Sequence, residues 1–344
     1  MDLAPLKAEL AELGDSHSID RIGFCTAEVF EDVREALHTR KAAGLSADMA
    51  FTYRNPDRAT DPNRALEGAK SLVVAARSYR RQSPAVDEVA PAAEVAEYVW
   101  EEHYLALRSG LDAIGERLRA DGWKTRTLID DNALVDRAAA HRAGIGWWGK
   151  SANILVPEIG SKVVLGSVVT NAPLAIEDTP IADQCGTCRR CIDACPTGAI
   201  VADGVIDANR CLAWLVQSAG SFPLEYRAAL GARIYGCDEC QATCPPNLLA
   251  DRREPPPISN GEAQVAVTEL LTLDDEALME RFGAWYIPKR DPRYLRRNAL
   301  VVLGNVGDAE SDVVRELLRE YLESGDELLA EHAAWAVSEL GLDQ

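Results

Sequence analysis

Four cysteines spaced Cys185-x2-Cys188-x2-Cys191-x3-Cys195, with Pro196 behind them, have the spacing that wraps thiolates around an iron–sulfur cubane. In such a run three thiolates hold three corners of one cluster, and the fourth reaches over to a second. A shorter run, Cys237-x2-Cys240-x3-Cys244 before Pro245, lies downstream, with Cys211 alone between the two. Two cubanes need eight thiolates, and these are eight of the nine cysteines in the chain. Crossing the fourth cysteines puts Cys185, Cys188, Cys191 and Cys244 on one cluster. Cys195, Cys211, Cys237 and Cys240 then hold the other. Gly186 and Gly236 suit the tight turns this requires. Structural zinc is the rival use of such residues, but zinc sites usually show isolated C-x2-C pairs. Cys25 has no partner in sequence and reads as a buried core thiol. Clusters carry single electrons, so the chain either relays electrons or spends them, and the acceptor is expected in the residues ahead of Cys185.

The second candidate segment runs from Ile129 to Asn171. It opens with Asp130-Asp131-Asn132-Ala133-Leu134-Val135-Asp136-Arg137 and continues through Gly144-Ile145-Gly146-Trp147-Trp148-Gly149-Lys150. Glycines beside two tryptophans and a lysine would let backbone approach a large flat ligand. An acidic pair, Asp130 and Asp131, stands just upstream, and Asp130 could serve as the N-cap of a helix over 133–142. No G-x-G-x-x-G follows a strand and no G-x-x-x-x-G-K-[ST] occurs, so nucleotide cofactors lack support. Asp15-x-His17-x-x-Asp20 lacks the glycine of the cobalamin D-x-H-x-x-G signature and reads as chance.

These groups need a scaffold. Apolar residues at helical spacing predict helices over 3–13 and 104–118. Residues 19–24, 71–76 and 163–169 read as strands, the last two as near-continuous apolar runs typical of buried ones. The expected organisation is an α+β sheet domain over 1–180, then a bacterial ferredoxin-like two-cluster module over 181–250, then a C-terminal α-helical region over 258–344. Asp251 to Pro257 reads as a linker unable to continue a helix. Asn298 to Gly307 is echoed 34 positions later by His332 to Gly341, which resembles a HEAT-type helical repeat.

Taken together, the Ile129–Asn171 segment, the cysteine module with Arg233-Ile234-Tyr235-Gly236-Cys237, the HEAT-like tail, and Arg58 before Asp61-Pro62 resemble the epoxyqueuosine reductase family over nearly the whole chain. The resemblance implies a cobalamin in the front domain, fed electrons by two [4Fe–4S] clusters. It implies reduction of epoxyqueuosine to queuosine at the wobble position of a tRNA with a GUN-type anticodon. Asp130 stands where the family has its proton donor, and Arg58, Asp130, Ile154 and Leu165 match positions that line the corrin. An electron donor, not identified by the sequence, and a monomeric state complete the expectation. Asp131 and Ala133 depart from the family pattern, as do Glu101 and His103. A reductive dehalogenase-like enzyme and a pure electron-transfer protein are the rival readings.

The chain has 344 residues, 47% of them hydrophobic, and a formal charge of −19. That composition excludes wholesale disorder and allows about two or three domains. No apolar run approaches the roughly 20 residues of a membrane span, and Met1 to Lys7 begin no signal-peptide core, so a cytoplasmic location is expected. The charge argues against a nucleic-acid partner until its distribution is examined. Arg281, Lys289, Arg290, Arg293, Arg296 and Arg297 face only Asp291 between positions 281 and 297, with Trp285, Tyr286 and Tyr294 interleaved. Lys289, Arg290, Arg293, Arg296 and Arg297 are therefore expected to contact the tRNA backbone.

Overall fold

The computed structural model describes residues 3–84, 91–175, 178 and 180–342. Residues 1–2, 85–90, 176–177, 179 and 343–344, which include the outer ends of the first and last expected domains, lie outside the described residues. The front of the chain supplies α1 (Ala4–Ser16), β1 (Arg21–Thr26), α2 (Glu31–Ala42), α3 (Pro56–Ala59), α4 (Pro62–Ala65), β2 (Ser71–Ser78), β3 (Ala92–Val95), α5 (His103–Ala120), β4 (Thr125–Leu128), α6 (Asp136–Arg142), β5 (Trp147–Trp148), β6 (Ile154–Leu155) and β7 (Val163–Thr170).

The two apolar runs, β2 and β7, are the inner strands of an antiparallel sheet ordered β1-β2-β7-β4, with Leu72 opposite Val169 and Val73 opposite Val168. Side chains alternate between faces along a strand, and here both faces are covered. Leu72, Val74, Ala76 and Val169 pack with Ala138, Ala139 and Ala140 of α6 and with Ile154. Val73, Ala75, Val164 and Val168 pack with Leu10 of α1 and with Leu107, Leu111, Ile114 and Leu118 of α5. Those four α5 residues are spaced 4, 3 and 4 apart, which keeps them on one stripe. Each leucine sealed there contributes about 1.5–3 kcal/mol. The Glu102 carboxylate accepts the Tyr104 and Leu105 N–H groups and so caps the helix.

The cysteine-rich stretch contributes α7 (Arg190–Asp193), a hairpin of β8 (Ile200–Ala202) and β9 (Val205–Ile206), α8 (Leu212–Leu215), α9 (Leu224–Leu230), β10 (Arg233–Tyr235), α10 (Glu239–Ala242) and α11 (Pro245–Arg253). The expected linker is only partly one: α11 runs on through Asp251, Arg252 and Arg253 and stops ahead of Pro255. Its far end is tied down, with Arg80 on Asp251 and on the Glu254 carbonyl, and the Gln82 N–H on the Pro257 carbonyl.

The tail holds β11 (Gln264–Ala266), α12 (Val267–Thr272), α13 (Asp275–Phe282), α14 (Arg293–Val306), α15 (Asp312–Leu322) and α16 (Glu327–Glu339). The two copies of the faint repeat fall on α14 and α16, which pack together. The three stretches are not separate bodies. β3 of the front pairs in parallel with β10 and antiparallel with β11, making one small sheet from three distant parts of the chain. A single apolar cluster joins Ala93 and Val95 to Leu212, Phe222 and Ile234 and to Leu300, Val302 and Leu317. No described helix is long and apolar enough to cross a membrane.

Candidate functional site

All nine cysteines are free thiols. Cys25 is sealed in the sheet core, where burial pushes its thiol up to about 12, so it is an inert core residue. The other eight fall into two neighbourhoods. Cys191 feels Cys185 and Cys188, and Cys244 feels all three. Cys211 feels Cys195, Cys237 feels Cys211, and Cys240 feels both Cys237 and Cys211. Cys240 also feels Cys191, so the two sets adjoin. Gly186 and Gly236 turn the backbone at φ +52° and +75°.

Burial is the largest influence on Cys237, Cys240 and Cys244 and drives each thiol up, to about 11 at Cys237 and about 12 at Cys244. Such thiols ionise readily only against positive charge, which a bound iron–sulfur cluster supplies. The surroundings already offer hydrogen bonds to thiolate sulfur. The Ala199 N–H points at Cys195 Sγ from 3.2 Å and the Asn153 amide at Cys240 Sγ from 3.9 Å. Among the described residues no three His, Cys, Asp or Glu side chains converge on one ion.

Asp130 stands between β4 and α6 with a left-handed backbone, φ +49°. It is open to solvent, yet protein surrounds it closely enough that burial, followed by the Asp131 charge, raises its carboxyl above the usual range. The N-cap reading of Asp130 does not hold, because α6 begins only at Asp136 and Val135 occupies the cap position. Asp131 makes the local turn instead, its Oδ1 accepting the Ala133 N–H at 2.8 Å.

Two of the expected corrin-lining residues, Ile154 and Leu165, share one apolar cluster. Ile154 is buried against Leu134 and Ala133, and Leu165 packs on that cluster from β7. Arg58, exposed on α3, is brought alongside by the Val135 N–H bond to the Ala59 carbonyl. Trp147 Nε1 is buried with no hydrogen-bond partner. A Cβ at Gly146 would sit 2.4 Å from the Leu155 carbonyl oxygen, so the β5–β6 hairpin itself requires glycine here. Lys150 is paired with Asp203 at 3.1 Å on the β8–β9 turn.

Two further groups stand at the site. Asp136 and the Tyr104 hydroxyl both lie within electrostatic reach of Asp130. Asp136 was inside the quoted motif, but only the fold reveals that its Oδ1 is sealed and unpartnered. The acid-bearing loop also lies near the second cysteine set. Tyr235, two residues before Cys237, senses Asp130, and Cys211 senses Arg137, the neighbour of Asp136.

The basic strip is narrower than its sequence. Arg297 is fully buried, with guanidinium hydrogen bonds to the carbonyls of Ser218, Gly220 and Leu215 and to Asn298 Oδ1. It therefore cannot reach a phosphate; apolar neighbours along α14 place it on the packed face. Arg296 is mostly covered and held by Asp275 and the Leu273 carbonyl, which removes it as well. Lys289, Arg290 and Arg293 remain exposed, beside Tyr286 at 59% exposure.

Eight thiols in two adjoining sets make this a two-cluster iron–sulfur protein, and residues 184–247 match the family of 4Fe-4S double cluster binding domains. The likeness extends much further. The chain is 34% identical to the epoxyqueuosine reductase of Bacillus anthracis over 355 residues, covering 100% of this chain and 91% of that one. It superposes on a crystal structure of epoxyqueuosine reductase with an epoxyqueuosine-modified tRNA-Tyr stem loop at a TM-score of 0.87 and 32% identity, covering 99% and 91% of the two chains. A Bacillus subtilis epoxyqueuosine reductase, solved with an aspartate-bearing catalytic loop swung out of its active site, gives 0.86 and 31%, over 98% and 91%. The chain belongs to the epoxyqueuosine reductase family of oxidoreductases.

Proposed function

We propose that this chain reduces epoxyqueuosine to queuosine at the wobble position of a tRNA with a GUN-type anticodon, using cobalamin fed by two [4Fe–4S] clusters. The observation that carries the reading is the nearness of the exposed acid Asp130 and its loop to the second cysteine set, through Tyr235 and Arg137. Cys185, Cys188, Cys191 and Cys244 would hold one cluster, and Cys195, Cys211, Cys237 and Cys240 the other. Arg58, Asp130, Ile154 and Leu165 would hold the corrin; the apolar residues, the exposed arginine and the accessible acid suit its flat face and polar rim. Cobalamin, when bound, supplies a reducible cobalt centre for attack on an epoxide carbon.

The conversion of an epoxide to an alkene and water takes two electrons and two protons. Asp130 would protonate the oxygen released when the first C–O bond breaks. Its raised titration keeps that proton available at higher pH than an ordinary carboxylate would. The chain would divide its work into residues 1–180 for cobalamin, 181–250 for the clusters and 258–344 for RNA, the last with α14 and α16 as a HEAT-like repeat. Lys289, Arg290 and Arg293 would meet phosphates. The test is anaerobic incubation of the reconstituted protein with cobalamin, reductant and epoxyqueuosine-containing tRNA, followed by nucleoside mass analysis. Queuosine is expected; none from fully loaded protein would sink the reading.

A further inference from the structure

Two protons are consumed at this site, and one exposed carboxyl holds only one. The structure places a second acid behind the first. Asp136 opens α6, six residues after Asp130, and its Oδ1 is sealed from solvent without any hydrogen-bond partner. The Asp130 backbone N–H lies close enough to this carboxyl to oppose the upward shift slightly, so the two residues adjoin. A buried carboxylate with one oxygen bare is costly, whereas a protonated carboxyl can leave an oxygen bare at much lower cost. The groups that face it agree. Burial is the largest influence and raises it well above the usual range; Asp130 and Asp131 raise it further, and Arg137 only partly opposes them. From α5, Tyr104 adds a neutral hydroxyl, itself raised by burial and by both acids. Arg137 points elsewhere, its Nη1 on the Ala152 carbonyl at 3.1 Å.

We propose that Asp136 is the proton store behind Asp130 and delivers the second proton of the reduction. This rests on the epoxide-reductase reading above. Asp130 gives its proton to the alkoxide oxygen formed when the first C–O bond breaks. The Asp136 O–H then passes its proton to the Asp130 carboxylate. Asp130 donates again as the second C–O bond breaks, the oxygen leaves as water, and the two electrons supplied through the clusters remain in the new C=C bond. Asp130 and Asp136, both left as carboxylates, each recover a proton from solvent once the product departs. Asp136 thus acts through Asp130 and does not touch the substrate.

Asp136→Asn keeps a carbonyl oxygen near the Asp130 N–H and removes only the transferable proton. It is expected to lower kcat roughly tenfold to a hundredfold with KM little changed, the loss deepening as pH rises. Asp136→Glu should restore most of the rate. Difference infrared spectroscopy of the purified wild type at neutral pH should show the carbonyl band of a neutral carboxylic acid that shifts in D2O and is missing from Asp136→Asn. A wild-type rate and pH profile in Asp136→Asn, or no such band, would overturn the role. A loaded wild type that makes no queuosine would overturn the reductase reading beneath it, and the infrared band separates the two failures.

Discussion

Asp130 combines three features that rarely coincide: a left-handed backbone without glycine, solvent access, and a carboxyl raised by its surroundings. The conformation costs about 1–2 kcal/mol and persists because the fold fixes both ends of the loop, at β4 and α6. Asp130→Asn should leave fold and cluster content intact and lower turnover by about 10²-fold or more, checked by circular dichroism, iron content and single-turnover assay. Asp131 offers a pH test. Its negative charge helps hold Asp130 protonated, so removing it lowers the Asp130 titration, and less acid is available at a given pH. Asp131→Asn, which retains the acceptor for Ala133, should shift the alkaline fall in rate to lower pH; an unmoved profile would show that Asp130 is not the titrating acid. Asp130 was legible from its motif, but the sealed oxygen of Asp136 was not, because burial of one atom depends on α5 and α6 packing, which no local pattern states.

Strands and helices were visible in sequence where their own periodicity sufficed. β2, β7 and α5 are long, apolar and regular, and each lies within a few residues of its expected span. β3 escaped because four residues, Ala92–Val95, carry almost no pattern, and it is a strand only by virtue of β10 and β11 far along the chain. The spacing of the cysteines was more informative, since turns and helical rises fix which thiols can converge. Their crossed assignment makes a sharp prediction. Cys244→Ser should lose the cluster of the first set and keep the second, while Cys211→Ser should do the reverse; iron quantification and low-temperature EPR decide it. β10 leads directly into the second set through Gly236, whose φ is +75° and where a Cβ would meet that of Ala96 at 2.4 Å. Gly236→Ala should therefore cost about 1–3 kcal/mol and reduce occupancy at Cys237 and Cys240, seen as a lower Tm and less iron. Full occupancy with unchanged Tm would show that the turn tolerates a side chain.

At the scale of the whole molecule, a net charge of −19 and an RNA substrate conflict only if charge is treated as uniform. At about 0.15 M salt the screening length is about 8 Å, so a phosphate responds to nearby cations far more than to distant carboxylates. The sequence located the basic strip but could not divide it. Arginine at a packed position and arginine at an exposed one look alike until α14 is docked. Once docked, α14 uses Arg297 to bind three carbonyls of the 215–220 turn, joining the tail to the cluster region, and burial lowers that guanidinium to about 10. Two substitutions separate these roles. Arg297→Met leaves those carbonyls without a donor and should destabilise the protein by about 3–5 kcal/mol, read as a lower Tm. Changing Lys289, Arg290 and Arg293 together to alanine should leave Tm nearly unchanged and weaken tRNA binding. Each lost phosphate contact should flatten the slope of log K against log salt by about 0.7–0.9. A salt series of fluorescence-anisotropy titrations with a labelled anticodon stem loop measures that slope, and one identical to wild type would place the RNA on another face of the molecule.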